Sequence, residues 1–509
     1  MHSCPRYIPG FRRRVRLGAA LIGALAAAVP AAVAAEPRDA RHTLERYARD
    51  TWASFVAMTD ETTGLPADRL HLNGIRSVQT SITNIGAYQW STLVAEALGF
   101  VSHDEAVARL DRTLRTLETM DRHVPSGQFF NWHDHTTGKP LTVWPPSGEP
   151  LTPILSSVDN GWLATALHLV RHQVPELSER AGALFVRMNF GFYYQPHVNR
   201  ILFHYAPSTG AAPCCYDTIV SESRIASYIG IAKGELPRRH YFGTWRSFPD
   251  TCDWSWQETK PLGVHRTYYG VAVFEGAYAY AGRRIVPSWG GSMFEALMPA
   301  LFVPEERWGP RSWAINHPLT VQAQIHHGLE EAQYGYWGFS PANIPEGGYA
   351  TYGVDGLGMN PDGYPSNNDQ TFVDHGFPGC PDRTPTPDPA PSAYTNGVVT
   401  PHATFLALRW APQAALENLA HLERDFAIYT AWGFRDSVNV DTGVVSPYYL
   451  ALDQGMIMAA LGNALAQDML REAFVTPEFR RALLPVIAVE AFNAGPPAHA
   501  PDLVVDRQP

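Results

Sequence analysis

Tyr216-Asp217-Thr218-Ile219-Val220-Ser221-Glu222-Ser223-Arg224, running on through Ile225-Ala226-Ser227-Tyr228-Ile229-Gly230-Ile231, places a carboxylate on a stripe that is otherwise apolar. Read as a helix, the i, i+3, i+7 spacing aligns Ile219, Glu222, Ala226 and Ile229 on one face. An acid on that face points inward. Burying a carboxylate is costly unless it is hydrogen-bonded or takes up a proton, and a carboxyl held protonated near neutral pH is a ready proton donor. The same glutamate equally suits a structural role, capping a neighbouring helix or pairing with an arginine such as Arg224.

Outward from this stretch the chain is mostly helical. Apolar positions at helical spacing mark helices over 40–58, 84–99, 104–120, 157–172 and 176–188 before it, and over 292–301, 319–331, 402–410, 412–430, 453–474 and 477–488 after it. Short strands are expected within 191–206 and 268–274. About twelve helices in antiparallel pairs with shared inward faces predict an all-α (α/α)6 toroid, a six-hairpin barrel with a few short strands and long loops at its mouth. No repeat of fixed period is visible, which argues against a regular solenoid. In this reading 36–490 is one domain, interrupted by a Pro-, Gly-, Asn- and Asp-rich loop over 338–401 that is either functional or disordered. The tail, 491–509, is expected to be disordered.

Arg12, Arg13, Arg14 and Arg16 precede a 13-residue apolar run, Leu17 to Val29, followed by the small-residue sites Ala32-Val33-Ala34 or Val33-Ala34-Ala35. Residues 1–35 therefore read as a cleavable secretory signal, its apolar run too short to span a bilayer. The mature protein is expected in the periplasm or outside the cell, a monomer with no membrane partner. The chain carries 39 basic and 49 acidic residues, a formal charge of −10, and the signal takes away five arginines and no acid. Such a balance disfavours nucleic acid. No P-loop, G-x-G-x-x-G or G-x-S-x-G occurs, so nucleotide and serine-hydrolase readings lose their usual support. Cys214, Cys215, Cys252 and Cys380 remain after cleavage. In an oxidising compartment Cys214 or Cys215 is expected to pair with Cys252, because a bond between neighbours would be strained.

Three further acids open inward helices after Gly- or Ser-rich turns: Asp159 in Ser156-Ser157-Val158-Asp159-Asn160-Gly161-Trp162, Glu295 in Ser288-Trp289-Gly290-Gly291-Ser292-Met293-Phe294-Glu295, and Asp453 in Leu450-Ala451-Leu452-Asp453-Gln454-Gly455. Inner-helix starts of an α/α barrel gather at one mouth, so these acids and Glu222 are candidates for one cleft. Glycoside hydrolysis needs two carboxyl groups, one protonating the leaving oxygen and one activating water or attacking the sugar. Asp159 and Asp453 equally suit helix N-caps; Glu295, beside Phe294 and Leu297, suits that role poorly. Fourteen tryptophans and an aromatic fraction of 12% fit a sugar-stacking cleft as well as a large core. His133-Asp134-His135 lacks a third ligand, so no metal is assigned there. The Asp and Asn residues of 355–374 offer oxygen ligands for calcium without the usual loop pattern; no other cofactor is expected.

Thr80 to Gly86, Ser157 to Trp162, Tyr216-Asp217 with Ser221 to Ala226, Ser288 to Pro299, Tyr336-Trp337-Gly338-Phe339-Ser340, Gly397 to Pro401 and Leu452 to Gly455 together resemble the bacterial glycoamylase-like family. That family includes endo-β-1,2-glucanases of glycoside hydrolase family 144 and is related to the cyclising domain of cyclic β-1,2-glucan synthases. The resemblance runs roughly from 75 to 475. It implies an (α/α)6 barrel acting on a poly- or oligosaccharide, commonly β-1,2-glucan, with Glu222 of the S-E-x-R motif as general acid. Asp159 or Asp453 would suit activation of water, and Glu295 a nucleophile or an acid near the sugar. Arg224, Trp162, Trp289 and Trp337 suit substrate contacts, as do Asn84, Trp132 and His133. Many relatives have an acid shortly after the Trp-Gly motif where this chain has Pro341-Ala342-Asn343, and the loop from Glu346 to Pro391 is longer. Both differences bear on linkage specificity. The alternatives are a hydrolase of another bacterial polysaccharide and a non-catalytic glycan-binding protein on the same barrel.

Overall fold

Serine side chains start three of the helices that shape the site. Ser81, Ser156 and Ser292 accept from the backbone N–H of Asn84, Asp159 and Glu295, satisfying amides that a first helical turn leaves without partners. The cap residue is therefore serine, and Asp159 sits three positions further on, free of that duty. Asp453 does not cap either: its helix starts after Leu450 with no side-chain cap.

The computed structural model describes residues 37–250, 260–359 and 390–496. The expected signal, the centre of the 338–401 loop with the calcium candidates from Asp362 to Asp374, Cys252, Cys380 and the tail from 497 lie outside the described residues. Within them the helices are α1 (Pro37–Met58), α2 (Ile82–Ala97), α3 (His103–Thr119), α4 (Ser157–Gln173), α5 (Ser178–Arg187), α6 (Arg224–Ala232), α7 (Met293–Leu297), α8 (Glu305–Trp308), α9 (Trp313–His326), α10 (Pro401–Leu406), α11 (Pro412–Asp425), α12 (Ala451–Leu465), α13 (Met469–Phe474) and α14 (Pro477–Ile487). None of the described helices is long and apolar enough to cross a membrane.

Several expected boundaries move, for local reasons. The single helix expected over 453–474 is two, α12 and α13, broken where Asp468 takes a left-handed φ of 59°. The helix of 412–430 stops at Asp425 because Tyr429–Thr430 turns back to pair with Gly433–Phe434. Glu222 is not helical. α6 begins at Arg224, and the preceding turn is held by Ser223 N–H donating to Ser221 Oγ and by the Arg224 guanidinium donating to the Ser221 carbonyl. The strands expected near 268–274 form a larger three-stranded hairpin, Leu262–Tyr268, Val271–Tyr280 and Arg283–Ile285. Cys214 and Cys215 lie across a cis peptide bond with their sulfurs together; their expected partner Cys252 lies outside the described residues.

Short strands lead into the central helices. Gln79–Ser81 pairs with Trp132–Asp134 before α2, Leu155–Ser156 with His204–Tyr205 before α4, Ser288–Trp289 with Gly358–Met359 before α7, Val398–Val399 with Val438–Asn439 before α10, and Tyr448–Leu450 with Arg69–His71 before α12. α2 packs on α4 and α12, α4 on α6, and α10 on α7 and α12, while α1 lies against α12, α3 against α2, α5 against α4, α14 against α6, α9 against α7 and α11 against α10. The approaches are close. A Cβ on Gly161 of α4 would lie 2.9 Å from the Ala226 Cα of α6, so only glycine permits that helix spacing. Trp90, Trp162 and Phe302 meet edge-on or tilted between these helices, inside one apolar cluster that runs from Tyr47 to Phe492.

Candidate active site

Glu222 projects from the turn before α6 with both ends of the residue held. Its N–H donates to Glu295 Oε2 at 2.7 Å, and its own Oε2 accepts from the Trp162 indole at 2.5 Å. Withdrawal from water, then the nearby Glu295 and Asp159 carboxylates, push the Glu222 carboxyl well above its ordinary range; Trp162 and Arg224 pull the other way. Burial likewise lifts Glu295 to about 7, against the Glu222 N–H, the Ser221 hydroxyl and Arg224. Asp159, at the start of α4, is raised by burial and restrained by Ser156 and Thr83, whose hydroxyl donates at 2.6 Å. With its amide nitrogen turned toward this group, Asn131 donates to both Asp159 oxygens at 3.2 Å. The Tyr216 phenol stands among all three, its proton held by burial and by Glu222, Asp159 and Glu295. Glu222, Asp159 and Glu295 remain partly open to solvent.

A second acidic group is built from strand ends and loops. Asp453 of α12 is raised well above its ordinary range by burial, by Asp436 and by Asp68. Asp436 stands close enough to Asp453 to favour its protonated form, while Asp453 in turn favours the ionised form of Asp436. Asp436 also accepts from the Asn343 N–H at 2.6 Å. Asp68 accepts from Asn84 at 2.9 Å and Gln79 at 3.3 Å, with Arg69 at 3.7 Å. His402, kept neutral by burial, which lowers its pKa to about 3, lies 3.4 Å from Asp453. Single donor atoms of His402, Asp436 and Asp453 fall within 4.8 Å of one another, so among the described residues this set has the spacing to hold a cation. Half-exposed Tyr349 links the two groups: Asp453, Asp436, Glu222 and Asp68 all hold its phenol protonated, beyond the effect of burial.

The expected contact residues divide sharply. Trp289 and Trp132 are partly exposed, Trp289 packing edge-on to Tyr216 and Trp132 to Trp144. Trp162 and Trp337 are buried, so neither offers a face to a sugar; Trp162 instead grips Glu222. Arg224 is also buried. Its five N–H bonds go to Glu305 twice, at 2.7 and 3.1 Å, and to the carbonyls of Ser221, Glu295 and Ala296 at 2.8, 2.8 and 2.6 Å. It is a clamp behind the acid, not a substrate contact. His133 lies wholly in the interior, its pKa lowered to about 4 by burial, because alternation along Trp132–Asp134 turns Trp132 out and His133 in. Asn84 is buried and orients Asp68. Asp68, Asp436, His402, Glu305, Tyr216 and Tyr349 were not singled out by motif; Tyr216-Asp217, inside a quoted motif, was the nearest signal.

Over part of its length the chain is similar to glycoamylase-like proteins. Residues 262–477 match the Glycoamylase family model, described as "Putative glucoamylase", and residues 46–192 match a second one described as a protein of unknown function (DUF3131). The cyclic β-(1,2)-glucan synthase of Rhizobium meliloti (strain 1021) is 24% identical over 578 residues, covering 86% of this chain. The chain spans only 18% of that relative's length. Among solved structures, an endo-β-1,2-glucanase from Chitinophaga pinensis in complex with sophorotriose and glucose superposes with a TM-score of 0.62 at 17% identity, covering 88% of this chain and 97% of that one. An endo-β-1,2-glucanase mutant from Talaromyces funiculosus bound to β-1,2-glucan superposes with a TM-score of 0.56 at 11% identity, covering 90% and 91%.

Proposed function

We propose that this chain is an exported glycoside hydrolase that cleaves β-1,2-glucan or its oligosaccharides, with Glu222 as general acid, on a single (α/α)6 domain over 36–490. In that toroid α2, α4, α6, α7, α10 and α12 are the inner helices and α1, α3, α5, α14, α9 and α11 their outer partners. The pairwise packing, which leads from α2 through α4 and α6 and returns through α10 and α12, supports it. The observation that carries the chemistry is the setting of Glu222: a solvent-reachable carboxyl, aimed by an indole N–H, whose pKa is pushed well above the ordinary range by burial and by two further acids beside it.

The reaction then follows from the neighbours. Glu222 gives its proton to the glycosidic oxygen as the bond to the anomeric carbon breaks. Asp159, whose carboxylate form accepts from Thr83 and Asn131, takes a proton from water as the water oxygen bonds to that carbon. Glu295 anchors the turn and keeps Glu222 protonated. The linkage rests on those solved neighbours that are described as endo-β-1,2-glucanases.

Product analysis on linear β-1,2-glucan and a panel of other glucans, wild type beside Glu222→Gln and Asp159→Asn, tests this. Short β-1,2-oligosaccharides from wild type are expected, with turnover down about 10²- to 10⁴-fold in Glu222→Gln and melting temperature unchanged. Full activity in Glu222→Gln would remove the assignment. Binding by wild type with no cleavage anywhere in the panel would replace hydrolysis with glycan capture.

A further inference from the structure

We infer that the groove between the Arg69–His71 and Tyr448–Leu450 strand pair and the Pro145-Pro146 loop is a distal subsite that carries the glucan chain on from the cleft, an inference that rests on the proposed glucanase reading. The groove encloses about 420 Å³ and is lined by Arg69, His71, Ile75, Arg76, Pro145 and Tyr448, among others. The strand pair that lines it leads directly to the second acidic group. Asp68 directly precedes one strand, the other runs straight into α12 and Asp453, and Ala451 N–H donates to the Asp68 carbonyl at 2.9 Å. The two strands are antiparallel, with His71 opposite Tyr448, so this pair lies three residues out from Asp68, about 10 Å at 3.3 Å per residue. A polymer leaving the acids along this direction meets the groove.

The surface there has what a sugar chain needs. Tyr448 and His71 meet edge to face, their ring centres 5.1 Å apart, and Arg69 lies 5.2 Å over the Tyr448 ring. This fixes the aromatic ring as a platform. Arg69 pairs through its buried Nε with Asp68 at 3.7 Å, while Arg76, which lines the groove, uses its Nε on the Ala57 carbonyl. Ile75 and Val78 line the groove and are exposed, and Trp144, packed on Trp132, immediately precedes Pro145. A platform, two arginines along the lining and an apolar rim suit a hydroxyl-rich ring with apolar faces.

Tyr448→Ala and His71→Ala test the subsite, since neither residue belongs to the acid machinery. Titration of a long linear β-1,2-glucan and of a β-1,2-trisaccharide into Glu222→Gln protein, with and without Tyr448→Ala, reads binding without turnover. Affinity for the long chain is expected to fall about five- to tenfold with Tyr448→Ala or His71→Ala, to be retained in Tyr448→Phe, and to be unchanged for the trisaccharide. In active protein the same variants raise KM for polymer and leave kcat and trisaccharide turnover alone. Equal losses on both ligands, or no loss on the polymer, overturn the subsite while the glucanase reading stands. Failure of the parent protein to bind or cleave β-1,2-glucan overturns both.

Discussion

Replacing Glu305 by Gln removes the carboxylate bonded to Arg224 and leaves the shape nearly intact. Glu305 is fully buried, accepts twice from Arg224, and also accepts from Tyr228 at 2.6 Å and His317 at 3.0 Å. Against the penalty of burial, Arg224 and then His317 pull its pKa down to about 2 from an ordinary 4.5. A depression of that size corresponds to about 3 kcal/mol favouring the folded carboxylate. Removing one partner of a buried pair costs about 3–5 kcal/mol by general experience, so the two lines of reasoning agree. For a folded unit of about 400 residues, with unfolding entropy near 2.1 cal/mol/K per residue, about 3 kcal/mol lowers Tm by roughly 3–4 °C. The folded pKa lies below the unfolded one, so the contribution is complete above pH 4.5 and disappears as pH falls toward 2. By pH 3 the difference between wild type and Glu305→Gln should have shrunk to about 1 kcal/mol. Because Arg224 ties the Ser221 carbonyl to those of Glu295 and Ala296, loosening it displaces the acid; kcat should drop by about 10²-fold, as small misplacements of catalytic groups do. Thermal melts at pH 7 and pH 3, with kcat on the same samples, check both effects. A variant melting within 1 °C of wild type at pH 7, or a gap that persists at pH 3, would refute the clamp.

Two further substitutions probe the same site. Trp162→Phe deletes the donor that favours ionised Glu222, so the carboxyl rises further and the alkaline limb of the pH–rate profile moves to higher pH; a stationary limb contradicts the role given to the indole. Gly161→Ala pushes a methyl against the Ala226 backbone, which cannot yield as a side chain would. The overpacking cost of about 1–3 kcal/mol outweighs the gain of at most about 1 kcal/mol from helix propensity, so melting temperature and kcat should fall together as the elements bearing Asp159 and Glu222 are forced apart.

Periodicity located most of the helices, because an amphipathic stripe records which face a segment buries even when its partner is far along the chain. It failed where a single backbone torsion decides, as at Asp468, and where tertiary contacts hold a turn open, as at Glu222. Site residues were legible when a local rule exposed them: an acid interrupting an apolar stretch, or an acid opening a helix after a Gly- or Ser-rich turn. Asp68, Asp436 and His402 obey no such rule. Each is ordinary in its own segment and acquires meaning only because paired strands bring segments hundreds of residues apart to one place.

Orientation was the other blind spot. Trp162 and Arg224 are residue types that bind sugars, and both stand beside the acid, yet both turn away from the cleft to hold Glu222 and its turn. The Glu222 amide is bonded to a glutamate 73 residues away, and its carboxyl to a tryptophan 60 residues away. Its proton affinity is thus a property of three segments packed at one glycine-permitted distance, which is why a composition-neutral change such as Gly161→Ala should alter the chemistry without touching a titratable group.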